Sequence, residues 1–182
     1  AKALIGELGA GVISRVIRMG EAAVPDDATR PVVADLERID ESSVRGCDPA
    51  AEAARVVAIK AAAKEGDSLG GVVEVLGFGV PIGLGSHVHW DRRIDGRMAQ
   101  ALMSIQAMKA VEIGEGSAVA AVRGSAEHDE SLWDESDGYT RASDRAGGLE
   151  GVMTRDWVVV ARGPMRPWES RRSRDGLPGA AR

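Results

Sequence analysis

The segment from Asp48 to Phe78 limits the fold more than any other stretch: a helix with both ends marked runs through a turn into an almost wholly apolar strand. Asp48 is placed to accept from free N–H groups at a helix start, and Pro49 stands where a missing N–H costs nothing. Ala53, Val56 and Val57 mark one face. Lys60 and Lys64 lie toward the C-terminal end, where the helix dipole favours cations, and Gly66 supplies a left-handed stop. Asp67 to Gly71 reads as a turn, and Val72–Phe78 as a well-buried strand.

The flanks extend this pattern. Ala1–Leu8 reads as the last turns of a helix ended by Gly9 and Gly11, and Val12–Met19 as a strand. The start inside a helix, without Met, gives the expectation of a truncated chain. Glu21–Ser43 is a polar connection with a short helical piece near Val33–Arg38. Ile94, Met98, Ala101, Leu102, Ile105 and Met108 recur at helical spacing, which predicts a helix from Ile94 to Lys109. Val111–Ile113 and Trp157–Ala161 read as strands. Ser117–Arg123 is ambiguous between helix and strand, and Gly124–Thr140 is acidic and loop-like, with Trp133 as an anchor. Arg145–Gly151 is a glycine-rich loop. Residues 162–182 carry six arginines against Glu169 and Asp175, a local net of +4 without apolar period. We therefore divide the chain into 1–162 and a divergent basic tail, 163–182, expected to be disordered. Helices and strands alternate without a regular βαβ rhythm, so the fold class is α+β.

Composition narrows the chemistry. Aromatics are 3% of the chain, with one Phe and one Tyr, so Ala, Val, Ile, Leu and Met must fill the core. A net charge of −5 argues against a general phosphate-backbone binder, though local arginines can still hold a small anion. Cys47 is alone, which excludes an intramolecular disulfide and fits a reducing compartment. No apolar run approaches the ~20 residues of a membrane span.

Three groups of residues invite a catalytic reading. His87 and His89, two apart on an extended segment, point to one side and with Asp91 and His128 would suit a metal-dependent hydrolase; HxH alone is a weak signal, and solvent-facing loop residues are the simpler reading. The glycine loops lack a dinucleotide or P-loop fingerprint, but Arg145 beside Gly147 and Gly148 leaves an anion site open. Gly124–Glu130 sets His128 among carboxylates, which is either acid–base machinery or a solvated acidic loop, and Ser125 has no evident triad.

Several runs together resemble chorismate synthase. They are Gly66-Asp67-Ser68-Leu69-Gly70-Gly71-Val72-Val73-Glu74, then Gly79-Val80-Pro81-Ile82-Gly83-Leu84-Gly85, then Ala99 to Gly114 through Gln100-Ala101-Leu102-Met103-Ser104-Ile105-Gln106. Gly124-Ser125, His128-Asp129-Glu130 and Arg145-Ala146-Gly147-Gly148-Leu149-Glu150-Gly151 follow in the family's order and spacing. The resemblance implies a partial β-α-β sandwich from the middle of a homotetrameric, cytoplasmic lyase late in the shikimate pathway, where aromatic amino acids are made. That family converts 5-enolpyruvylshikimate 3-phosphate to chorismate and phosphate by a 1,4-elimination that requires reduced FMN, with NADPH a possible reductant.

Residue by residue, the resemblance places Gln106 and Ala107 on the family's FMN-contacting pair, and Val152 where the family has a Gly against the flavin. Met165-Arg166-Pro167 is similar to the family's Met-Lys-Pro, so Arg166 and Pro167 complete the cofactor set; Trp168-Glu169-Ser170 then departs from the family's small and hydroxyl residues. The family's catalytic histidines belong to a region before Ala1. No catalytic residue and no metal ligand is therefore assigned, and these 182 residues are expected to be inactive alone. The alternatives are a non-catalytic gene remnant or oligomerising fragment, and the metal-dependent hydrolase.

Overall fold

The computed structural model describes residues 1–25, 28–136 and 138–168. Its centre is one antiparallel sheet of five strands. In chain order these are β1 (Gly11–Met19), β2 (Ala22–Ala23), β3 (Gly71–Phe78), β4 (Glu112–Ile113) and a last strand, Val159–Met165, labelled β9. Their spatial order is β2-β1-β3-β9-β4, so the apolar β3 is central. A bulge between Val16 and Arg18 shifts the register of β1 against β3.

Side chains two apart share a face of a strand, and the register turns this into rows across the sheet. Ile13, Leu76 and Val160 form one row and are fully buried with Ile39. Ile39 comes from α2 (Leu36–Glu41), which follows a short 3₁₀ turn at Val33–Asp35. The next row on the same face is charged: Arg15, Glu74 and Arg162.

The helices are α1 (Lys2–Gly6), α2, α3 (Pro49–Glu65), α4 (Ile94–Met103) and α5 (Gly124–Glu127). Helix α3 has the expected ends: Asp48 accepts from the Ala51 N–H at 2.7 Å and Gly66 sits at φ +70°. Its buried side is not the expected one. Ala51 and Arg55 are buried, while Val57 is 67% exposed. A helix this rich in alanine has little amphipathic preference, so its rotation follows one specific contact. Arg55 donates to the Val16 carbonyl and fills the space over Gly46. Burial lowers the pKa of this guanidinium.

Three further segments differ from expectation. The predicted helix to Lys109 stops at Met103. Ser104 Oγ donates back to the Ala101 carbonyl at 2.6 Å, and Ala107 turns the chain at φ +72°. The backbone beyond then joins the sheet, with Lys109 N–H donating to the Pro164 carbonyl at 2.9 Å. The last strand runs Val159–Met165 rather than Trp157–Ala161, so Gly163, Pro164 and Met165, expected in the tail, belong to the sheet. Residues 169–182 of that tail lie outside the described residues. The acidic 124–140 segment holds α5 and a hairpin of β5 (Ser131–Asp134) with β6 (Gly138–Arg141). Trp133 meets Tyr139 of the same hairpin edge to face at 4.8 Å and is 66% exposed, so it is not the anchor expected of it. The ambiguous stretch after Glu115 is a 3₁₀ turn over Gly116–Ala121. A small pair, β7 (Leu149–Glu150) with β8 (Met153–Thr154), completes the fold. No helix is long and apolar enough to cross a membrane among the described residues.

Candidate functional site

Four of the five residues assigned to the cofactor lie at one place, although about sixty positions separate them in the chain. Gln106 and Ala107 occupy the turn after α4, and Arg166 and Pro167 follow β9 directly. A bridge between Met108 and Met165 aligns the two segments, and Arg166 N–H donates to the Ala107 carbonyl at 3.0 Å. Gly70 closes the third side: a Cβ there would lie 2.7 Å from the Met165 carbonyl oxygen and 3.1 Å from Pro167 Cδ. Only a glycine permits this approach. The Gln106 side chain is exposed and makes no hydrogen bond among the described residues.

Ala107 is one of three non-glycine residues with positive φ among the described residues, with Arg45 and Val152. For an L-residue this costs on the order of 1–2 kcal/mol and marks a position the surroundings enforce. Here the enforcement is the Met108–Met165 pairing. An exposed amide, a fixed backbone turn and the backbone of Arg166 thus meet at one place.

Val152 lies elsewhere. It walls a cavity of about 270 Å³ with Asp95, Ile113, Arg145 and Leu149, near the start of α4. A Cβ at Gly85 would meet the Val152 carbonyl at 2.6 Å and Ile94 Cβ at 3.2 Å. Ten helical residues separate that end of α4 from the Gln106 turn, roughly 15 Å at 1.5 Å per residue. Val152 has φ +63°, so a β-branched residue stands in glycine's backbone region.

The glycine loop is closed by the chain's own carboxylates. Asp129 accepts from the N–H of Arg145 at 2.9 Å, the N–H of Ala146 at 3.0 Å and the hydroxyl of Ser143 at 2.5 Å. Burial pushes the Asp129 carboxyl up, but those donors outweigh it and hold its pKa below the usual range. Asp144 accepts from Gly148 N–H at 2.7 Å and from Arg30 at 3.0 Å. Burial dominates there and lifts its pKa to about 6, against the Gly148 N–H and Arg30. The amides that made the loop a candidate anion nest are therefore satisfied from within. Gly114 and Gly147 allow the loop to press on the end of β4, since a Cβ on Gly114 would lie 2.0 Å from the Arg145 carbonyl oxygen.

This also assigns the carboxylates around His128. Asp129 organises the loop, whereas His128 is exposed and 3.8 Å from Glu127. His87 and His89 are exposed, on a turn where Ser86 Oγ accepts from the N–H groups of Val88 and His89. Among the described residues no group of three or more His, Cys, Asp or Glu side chains converges to hold a metal ion. The residues of the hydrolase reading are not brought together.

Two features escaped the sequence reading. One is the holding role of Asp129 and Asp144, which only the folded loop reveals. The other is the Arg15–Glu74–Arg162 row. Its signal was available: a charge inside an apolar strand is either an edge position or a buried, paired group.

A family model described as chorismate synthase matches residues 1–175. The chain is 54% identical over 159 residues to the chorismate synthase of Acidothermus cellulolyticus, covering 87% of this chain and 40% of that protein. It is 51% identical over 160 residues to that of Thermobifida fusca, covering 88% and 40%. A crystal structure of chorismate synthase superposes with a TM-score of 0.83 at 41% identity, over 91% of this chain and 52% of that one. The chain thus spans about 40% of the length of the curated relatives it matches.

Proposed function

The chain belongs to the chorismate synthase family, and from that premise we propose that it carries the central part of a carbon–oxygen lyase. The reaction is the 1,4-elimination that turns 5-enolpyruvylshikimate 3-phosphate into chorismate and phosphate. The observation that supports this most is the joint agreement of sequence and backbone, 41% identity at a TM-score of 0.83 over 91% of the chain.

Within that enzyme these residues supply one edge of the flavin site. The Gln106 amide offers a donor and an acceptor, Ala107 presents turned backbone, and the backbone of Arg166 and Pro167 adjoins the same place. Reduced FMN, when bound, supplies the electron chemistry that phosphate departure needs, without net oxidation. Val152 forms a separate wall at the far end of α4 and restricts approach there. The proton-transfer groups lie outside these 182 residues, so the chain alone does not turn over. The enzyme acts as a cytoplasmic homotetramer, with NADPH a source of reducing equivalents.

A segment exchange tests the reading. Residues 1–162 replace the matching part of the Acidothermus cellulolyticus relative, and chorismate formation is followed with reduced FMN and the phosphorylated substrate. Activity within roughly tenfold of the parent is expected. A soluble, tetrameric chimaera without activity would sink the reading. In an active chimaera, Gln106→Ala weakens FMN binding by roughly tenfold, the worth of about one hydrogen bond to a charged or strongly polar group.

A further inference from the structure

One group of charged side chains has no part in the lyase reading. Arg15, Glu74 and Arg162 are cross-strand neighbours on β1, β3 and β9. Glu74 is 1% exposed, and both its oxygens are taken. Arg15 Nε and Nη2 each lie 2.8 Å from Oε2, and Arg162 Nε lies 3.1 Å from Oε1. Two guanidinium charges therefore face one carboxylate. Glu112, beside Arg162 on β4, is engaged elsewhere, accepting from Ser117 Oγ at 2.6 Å. The terminal nitrogens of Arg162 have no partner among the described residues.

The row opens on a cavity of about 450 Å³, whose lining also includes Arg30 and the apolar Ile17 and Val24. Arg30 pairs with Asp144, but Asp144 does not line this cavity. Among the described residues Asp144 answers Arg30 from outside the cavity, while Glu74 alone answers both Arg15 and Arg162, which leaves an excess of one positive charge at the row. In the adjoining hollow Asp35 is held by Arg38 at 3.1 Å and Asp48 by the Ala51 N–H, so neither offsets the excess. Positive charge left half-buried is unfavourable unless an anion joins it. Two of the arginines are also pre-organised, on the strands that flank β3 and fixed by its buried acid, so little side-chain freedom remains to be lost on binding.

We propose that this cavity binds a small oxyanion of the phosphate class. It is separate from the flavin edge, because none of Gln106, Ala107, Val152, Arg166 or Pro167 lines it, and it stands whether or not the lyase reading holds. Free phosphate and the phosphate group of an organic monoester share this chemistry.

The 182-residue chain would be titrated at constant ionic strength with inorganic phosphate, with glycerol 2-phosphate and with sodium chloride, following the arginine Nε–H NMR signals. Saturable shifts of the Arg15 and Arg162 signals with a phosphate compound, absent with chloride, are expected. Tighter binding of inorganic phosphate identifies the free ion, and tighter binding of the monoester an organic phosphate. Arg162→Gln weakens the binding roughly tenfold, about the value of one charge-assisted hydrogen bond. Arg30→Gln does the same without touching Glu74, and decides the matter if the first variant unfolds. Equal responses to chloride and phosphate, shifts confined to other residues, or affinities unmoved by Arg30→Gln would each overturn the proposal and leave an internal ion row only.

Discussion

Val152 shows how one residue can carry a cost that its neighbours enforce. Its φ of +63° suits glycine, and its carbonyl is held against Gly85. Removing the side chain relieves about 1–2 kcal/mol of backbone strain, less up to about 1 kcal/mol for the freer unfolded chain. Val152→Gly is therefore expected to raise stability slightly, by up to about 1 kcal/mol in urea unfolding; a loss of stability would show that the valine packs better than its backbone suggests. Asp144 makes a second case at this scale. Burial raises its carboxyl to about 6 from an ordinary 3.8, so the folded state favours the protonated form. That contribution is fully present below the ordinary value and is lost as pH rises through about 6. Asp144→Asn keeps an acceptor for Gly148 N–H without the charge. It is expected to be more stable than the parent at pH 7.5, by on the order of 1–2 kcal/mol, with the difference vanishing near pH 4. Melting curves across that range check it, and a variant less stable at pH 7.5 would mean the Arg30 pair outweighs burial.

At the scale of elements, the strands were legible and the packing partners less so. The β-branched run Val12–Met19 and the apolar run at 72–78 announced β1 and β3, and Asp48, Pro49 and Gly66 announced the ends of α3. The end of α4 was not legible. Ile105 and Met108 continue the helical spacing, yet Met108 packs on Gly163 while Ile105 is 50% exposed. A backbone hydrogen bond to a strand fifty residues away outcompeted local periodicity. The charged row across β1, β3 and β9 makes the sheet dependent on Glu74. Glu74→Ala leaves two arginines facing a void and is expected to cost about 3–5 kcal/mol. If chemical denaturation found less than 1 kcal/mol lost, the row would be loosely solvated rather than buried. The glycine contact between β4 and the loop is as demanding. Gly114→Ala would set a methyl 2.0 Å from the Arg145 carbonyl oxygen, at φ +60°. A loss of at least about 2 kcal/mol is expected, with the Asp129 anchor released first in hydrogen exchange.

For the molecule as a whole, the exposed apolar surface is the feature with the largest consequence. Leu4, Leu8, Val57, Ile82, Val88 and Trp90 are each at least 67% exposed, and α3 buries only Ala51 and Arg55. The chain spans about 40% of the length of the curated relatives it matches. Association of the isolated chain is expected, seen as concentration-dependent sedimentation. A monomer at all concentrations would show that these side chains tolerate water.

The amino-acid order alone determined the family, the α+β class, the marked ends of α3 and the residues to examine for a flavin, because local caps, turns and runs of side chains record these directly. Tertiary structure decided which of those residues meet. Ala107 and Arg166 come together because Met108 pairs with Met165, and Val152 is set apart at the other end of α4. It also turned Asp129 and Asp144 into clamps on the glycine loop. Such contacts depend on long-range register and burial, which no window along the chain contains.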